Sequence, residues 1–326
     1  MSALRRILVA VADPRSRKQP ALVKALRLAR QSGARLELFH SLFDPLLQGE
    51  RVYGKRWSSH EFDALLQSSR QQLEKRAAEL ADGGTRVECS VQWDYPPQEA
   101  IVRQALRSKA DLVIASTHSR RRIARLLLTN TDWELIRLCP TPLILVKNSR
   151  DWKGGSILAA IDPLHLHARP AGLDKRILKM ATLLSRTVNA QLHAVHAHAP
   201  PITYVPGFVT GPVAVHMSGT ESRKYLQQLR RRVIAETKGF SIGQRRVHLV
   251  EGDPAVALPV QARRTRARMV VMGAVSRSGL QRLFIGSTAE RVIDQLDCDI
   301  CFVKPERFRT TVRARTPHLP VMIPPM

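Results

Sequence analysis

Acidic side chains are scarce in this 326-residue sequence: 27 Asp and Glu stand against 52 Lys and Arg, a formal net charge of +25. Aromatic residues make up only 5% of the chain, and there are four cysteines, Cys89, Cys139, Cys298 and Cys301. Four cysteines in a chain of this size are too few for a disulfide framework. No apolar run approaches the roughly 20 residues that cross a bilayer. The N-terminal Met1-Ser2-Ala3-Leu4-Arg5-Arg6 enters a strand-like run at once and has no cleavage-site pattern. A cytoplasmic protein without a membrane span is expected. Also missing are a Gly-Lys-[Ser/Thr] phosphate loop, a Ser-His-Asp order and a paired-carboxylate site, so the sequence supplies no evident catalytic machinery.

The basic excess runs through the whole chain. Residues 1–150 hold 26 basic and 15 acidic side chains, and the remainder hold 26 and 12. Such a charge can mark a nucleic-acid or anionic-membrane surface. It can equally be a drift in composition toward arginine, with the charges solvated. Spread-out charge without interleaved aromatics favours the second reading.

What the chain does have is alternating strand and helix patterns. Ile7 to Asp13 is a short β-branched run bounded by Asp-Pro, the pattern of a buried parallel strand. From Pro20 to Ser32 the apolar residues Leu22, Ala25, Leu26 and Ala29 line one helical face, with Lys24, Arg27 and Arg30 off it and Gly33 as the stop. Strands follow at Leu36–Phe39, Thr85–Val91, Leu112–Ala115 and Leu143–Val146, separated by helices over 60–82, from Pro96 to about Lys109, and over Asn130–Leu138. This alternation implies an α/β fold with a doubly wound parallel sheet.

After Gly154-Gly155 the sequence starts again. Ile157–Pro163 repeats the first strand with its Asp-Pro, and Asp111–Lys147 overlays Arg268–Lys304 at a constant offset of 157 without a gap. A duplicated domain follows: one copy in 1–150, a second in 151–305, and a basic Pro-rich tail over 306–326. Residues 199–219 interrupt the second copy as a long, apolar, Pro/Gly-rich connection, a length usually associated with function or disorder.

The chemistry concentrates in one stretch of the second copy. The apolar run Met269-Val270-Val271-Met272 ends at Gly273, a loop of basic and small residues follows, and Gly286-Ser287-Thr288 opens a helix. In an open α/β sheet, ligands sit outside the carboxyl ends of the strands. A helix N-terminus there offers free N–H groups and about half a positive charge to an anion. Ser287-Thr288-Ala289-Glu290 also reads as a capping box that needs no ligand. Two weaker candidates remain. Cys298-Asp299-Ile300-Cys301 has redox spacing but enters a strand, where core packing is the simpler account. His193, His196 and His198 suggest a metal, but only the last two share a strand face.

The spacing Gly273-x2-Ser276-x9-Gly286-Ser287 resembles the nucleotide-binding signature of the universal stress protein family, Gly-x2-Gly-x9-Gly-[Ser/Thr]. The layout over residues 4–305 is similar to the tandem, E-type members of that family. The resemblance implies two tandem doubly wound five-stranded parallel-sheet domains, Rossmann-like. It implies a stress-response regulatory protein whose second domain binds an adenine nucleotide, ATP or another, as ligand rather than substrate, and it leaves open an accompanying Mg ion. It assigns Asp162 to adenine, Met272 and Val195 to the adenosine side, and Gly273, Ser276, Gly286, Ser287 and Thr288 to ribose and phosphates. It further implies pairing of the two domains through their fifth strands and leaves open a homodimer.

Ser276 departs from the signature, which has glycine there; if the position needs positive φ, serine costs on the order of 1 kcal/mol. In the first copy the offset places Ser116, Ser119, Thr129 and Asn130 on the Gly, Gly, Gly and Ser/Thr positions, so that copy is expected not to hold a nucleotide in the family manner. Two other functions stay open. One is a non-catalytic module binding an apolar ligand or protein partner through residues 199–219; the other is a nucleic-acid-associated protein.

Overall fold

The computed structural model describes residues 3–43, 59–80, 84–117, 120–122, 125–164, 172–200, 202–205, 213–217, 219–274 and 287–314. The chain forms two compact units, 1–151 together with 299–326, and 152–298.

The first unit begins with β1 (Arg6–Ala10), α1 (Pro20–Ser32), β2 (Arg35–Leu42), α2 (Ser59–Leu80), β3 (Val87–Trp93), α3 (Pro97–Arg107) and β4 (Leu112–Ser116). A short hairpin of β5 (Arg120–Arg122) and β6 (Arg125–Leu127) follows, then α4 (Asn130–Leu138) and β7 (Leu143–Val146). The expected apolar runs form the strands because they are buried on both faces: Ile7, Leu8, Val9, Leu36, Leu38, Ile114 and Ile144 have no exposed surface. Pro20 opens α1, and Gly33 closes it in the left-handed region at φ 71°, donating its N–H to the Ala29 carbonyl.

β1 pairs in parallel with β2 and β4, β2 with β3, and β4 with β7. The outermost strand of this unit comes from the far end of the chain. β14 (Asp299–Val303) runs antiparallel to β7, with Ile300 opposite Leu145 and Phe302 opposite Leu143. The last strand of the second repeat therefore belongs to the first compact unit, whose main sheet has six strands among the described residues, five of them parallel.

A buried ion pair fixes that strand. The Lys24 ammonium bonds the Asp299 carboxylate, and Asp299 Oδ1 also accepts the Lys147 N–H at 2.8 Å. Lys24 lies off the apolar stripe of α1 in sequence yet is buried, because an acidic partner waits on β14. Another buried cation has no carboxylate partner among the described residues. Lys304, just after β14, sits beside Cys139 with its Nζ 4.7 Å from the Phe308 ring centre, and burial lowers its pKa to about 8.

The second unit contains β8 (Ser156–Ala160), α5 (Leu173–Thr187), β9 (Gln191–His198), β10 (Ile202–Val205), β11 (Val213–His216), α6 (Gly219–Thr237), β12 (Val247–Glu251), α7 (Pro254–Arg264), β13 (Ala267–Gly273) and α8 (Ser287–Gln295). Four of these strands form a parallel sheet in the order β12-β9-β8-β13. The interruption at 199–219 is not all loop: β10 and β11 pair antiparallel within it. Both units are mostly parallel α/β layers, as the strand–helix alternation requires. Among the described residues, no helix is long and apolar enough to cross a membrane.

Two stability measurements check these assignments. Lys24→Met strands the Asp299 carboxylate in the core and should cost about 3–5 kcal/mol in urea unfolding. Lys304→Met should do the opposite. Its depressed pKa means that the unfolded chain holds the proton more tightly, so the group destabilises the fold below about pH 8, and the penalty lifts toward pH 10.5. The methionine variant should be more stable by about 1–3 kcal/mol at pH 7, and the gain should vanish by about pH 10.5.

Candidate functional site

The carboxyl ends of β8 and β13, with the first turn of α5, form the core of the candidate site. Ile161 and Asp162 follow β8 directly. The Ile161 N–H donates to the Val195 carbonyl at 3.0 Å, so β9 extends the ladder up to the aspartate. The Asp162 N–H donates to Asp174 Oδ2 at 3.0 Å. Asp174 lies in the first turn of α5, where a carboxylate suits the helix dipole. His196 completes the group: its Nδ1 is 3.1 Å from the Ile161 carbonyl and 3.8 Å from Asp162 Oδ1. Asp162, Asp174 and His196 are all buried.

Gly273 ends β13 beside this group. A Cβ on it would lie 2.7 Å from Leu173 Cδ2 and 3.5 Å from Ile177 Cδ1 of α5. The glycine thus lets the strand end approach the helix closely. Met272 and Val195, the two residues placed on the adenosine side, are buried core residues of β13 and β9. Ser276 and Gly286 lie outside the described residues. Ser287 is the first residue of α8 and Thr288 the second, so α8 begins where the signature requires a helix. Arg291 of α8 holds Asp253 Oδ2 at 2.9 Å, and Asp253 caps α7 by accepting the Ala255 N–H at 2.7 Å. That pair ties the start of α7 to α8.

The same positions in the first unit are filled by its own side chains. Ser116, which aligns with Gly273, accepts the Ala21 N–H at the start of α1 at 3.3 Å. Thr129, which aligns with Gly286, caps α4: Asp132 N donates to Thr129 Oγ1 at 3.3 Å, while Thr129 N and Oγ1 donate to Asp132 Oδ2 at 2.9 and 3.0 Å. A buried carboxylate therefore sits on the α4 N-terminus, where an anionic ligand would bind. The residue aligned with Asp132 is Ala289. Asp13, the counterpart of Asp162, is exposed and turned back on the Arg15 N–H at 2.8 Å. Ser119 lies outside the described residues. Asn130 opens α4 and is exposed.

A family model described as the universal stress protein family matches residues 3–147 and 157–304. The chain belongs to the universal stress protein family. It carries two copies of the family's domain and is similar over nearly its whole length to tandem relatives. It is 27% identical over 310 residues to Universal stress protein E of Escherichia coli (strain K12), covering 94% of this chain and 96% of that protein. It is 25% identical to a Universal stress protein E homolog of Haemophilus influenzae, covering 92% and 97%. Among solved structures, a putative universal stress protein from Pseudomonas aeruginosa UCBPP-PA14 is similar with a TM-score of 0.68 at 25% identity, covering 93% of this chain and 94% of that one. A functionally unknown protein from Pseudomonas aeruginosa PAO1 has the same fold, with a TM-score of 0.68 at 24% identity over the same shares.

Within this universal stress protein, His196 alone of the other sequence candidates named above is placed against Asp162. Cys298 and Cys301 are buried, and burial raises the Cys301 pKa far above the ordinary thiol range, which disfavours the thiolate that redox chemistry needs. His196 and His198 share a face as their spacing requires, with ring centres 6.4 Å apart. His193 instead meets His248 of β12, Nδ1 to Nε2 at 3.0 Å. No group of three His, Cys, Asp or Glu side chains among the described residues could hold a metal. Asp174 and His196 carry the local structure around Asp162, and the motif does not reach them. Asp174 could have been found as the one acidic residue in the first turn of α5; His196 stood out in the sequence only as one of a histidine trio suggestive of a metal.

Replacing Asp174 tests this arrangement. Asp174→Ala leaves the buried Asp162 N–H without its acceptor and should cost about 1–3 kcal/mol in urea unfolding. Asp174→Asn keeps an acceptor oxygen and should cost visibly less.

Proposed function

We propose that the second unit binds an adenine nucleotide, ATP in the first instance, as a regulatory ligand, and that the first unit does not. One observation carries the reading. In the first unit, the side chains of Ser116, Thr129 and Asp132 occupy the N-terminal donors of α1 and α4. The aligned residues of the second unit are Gly273, Gly286 and Ala289, which carry no polar side chain with which to do so. Donors at a helix N-terminus that are not met from within remain available to phosphate oxygens.

On this reading Asp162 faces the adenine amino group, and its backbone is held by Asp174 and by the ladder to Val195. Gly273, Ser276, Gly286, Ser287 and Thr288 line the ribose and phosphates, with the start of α8 supplying positive potential. The residues present fit a nucleotide: a buried carboxylate lies at one strand end, and a glycine-flanked helix start follows the neighbouring strand. A Mg ion would be held through the phosphates, since the described residues provide no three-ligand cluster. With no positioned base among the residues named, the nucleotide is a ligand whose occupancy is sensed, within a stress response of the kind the family is named for.

Equilibrium dialysis of the intact protein against labelled ATP tests the reading. One nucleotide per chain is expected, and Gly286→Val should abolish binding while Thr129→Val leaves it intact. Absence of adenine-nucleotide binding by the folded protein would sink the proposal, and two equivalent sites would overturn the division of roles between the copies.

A further inference from the structure

Three arginines from separate parts of the second unit converge on the turn between α6 and β12. Arg186, in the last turn of α5, donates to Ser241 Oγ at 3.1 Å. Arg246 donates to the Ser241 carbonyl at 3.3 Å, and Arg230 of α6 donates to the Gln244 carbonyl at 3.3 Å. All three guanidinium groups rest on neutral oxygens. Among the described residues none of them has a carboxylate partner. Like charges held this close repel, and a protein that gathers them without a counter-charge leaves that charge to be neutralised from outside.

The surroundings add to the excess. Between residues 222 and 250 eight basic side chains stand against one acidic, Glu236. A hollow of about 760 Å³ opens beside the turn, lined by Arg231 and Lys238, by Gly239, Ser241 and Gly243, and by flanking residues of α6. Arg231 lies on α6 and Lys238 directly follows its last residue, and both are exposed. The neighbouring histidines record the positive potential. His193 is lowered to about 4 by burial, by His248 and by Arg246, and His248 is lowered by burial and by Arg230.

We propose that this surface binds the phosphate backbone of a nucleic acid. Arginine predominates, and its planar fork matches phosphate oxygens in pairs. The hollow is concave and carries Arg231 and Lys238 on its lining, suited to a sugar–phosphate chain running along it. An anionic membrane is the poorer fit, because surface helices that dock on lipid present bulky apolar residues for insertion. The large exposed apolar side chains among the described residues are Tyr95, Leu106 and Val256, none of which belongs to this surface. The turn leads into the amino end of β12, whereas the nucleotide site lies at the carboxyl ends of β8 and β13, so the two ligands occupy separate places.

Fluorescence anisotropy of the full chain with a labelled oligouridine, and in parallel with a labelled DNA duplex, tests the proposal. Binding is expected at about 50 mM salt, and it should weaken steeply by about 200 mM, as release of several counterions requires. The double variant Arg231→Glu, Lys238→Glu, both exposed and free to be exchanged without loss of packing, should lose at least about tenfold in affinity and flatten the salt slope. Arg35→Glu, Lys75→Glu makes the same change in net charge on exposed residues of the first unit and should have little effect. Saturating ATP should leave the nucleic acid bound. Failure to bind either nucleic acid, equal weakening by both double variants, displacement by ATP, or a preference for phosphatidylglycerol vesicles would each overturn the proposal.

Discussion

A parallel strand and the helix that follows it place unmet backbone amides at one edge of the sheet, and something must satisfy them. In this chain that requirement is answered differently in the two copies. The first unit answers from within, with the Ser116 hydroxyl on α1 and the Thr129–Asp132 box on α4. In the second unit the corresponding side chains have been reduced to Gly273, Gly286 and Ala289. What distinguishes the copies is therefore the side chain that stands at each of these positions. The carboxylates of Asp132 and Asp174 show how readily an anion is accepted at such a place when the chain provides one.

The Asp299 carboxylate plays the corresponding role for architecture. It takes the Lys24 ammonium from α1 and the Lys147 N–H at the end of β7, and both are buried with it. A charge in that position is tolerated only because its partners are fixed by secondary structure on either side. It joins the start of β14 to α1 and to the end of β7. The neighbouring Lys304 shows the cost of a cation that lacks such a partner, in a pKa drawn down to about 8 by burial.

Most of the regular elements were legible in the sequence, because apolar periodicity reports burial directly. The helix over Pro20–Ser32, the helix over Asn130–Leu138 and the strand over Leu143–Val146 are found at those bounds. The copies were legible too, since an ungapped offset survives divergence of the side chains. What could not be read depends on residues far apart in sequence. Lys24 looks solvated until Asp299 is beside it, 275 positions later. His193 looks like one of a local histidine trio until His248 arrives from β12. The hairpins β5–β6 and β10–β11 lie in stretches whose glycine, proline and arginine content signals irregular chain. The basic excess looked evenly spread for the same reason: Arg186, Arg230 and Arg246 are brought together by the turn at Ser241.

The origin of β14 bears on how the chain is made. The edge of β7 that it covers is synthesised more than 150 residues earlier, so at ordinary elongation rates that edge waits on the order of ten seconds for its partner. During that interval an apolar strand with unpaired amides is exposed on a nascent protein, the condition under which strands recruit the wrong neighbour. The strands β8, β9, β12 and β13 of the second unit are all complete before β14 emerges. In this duplicated chain the half that is translated first is thus the half that is finished last.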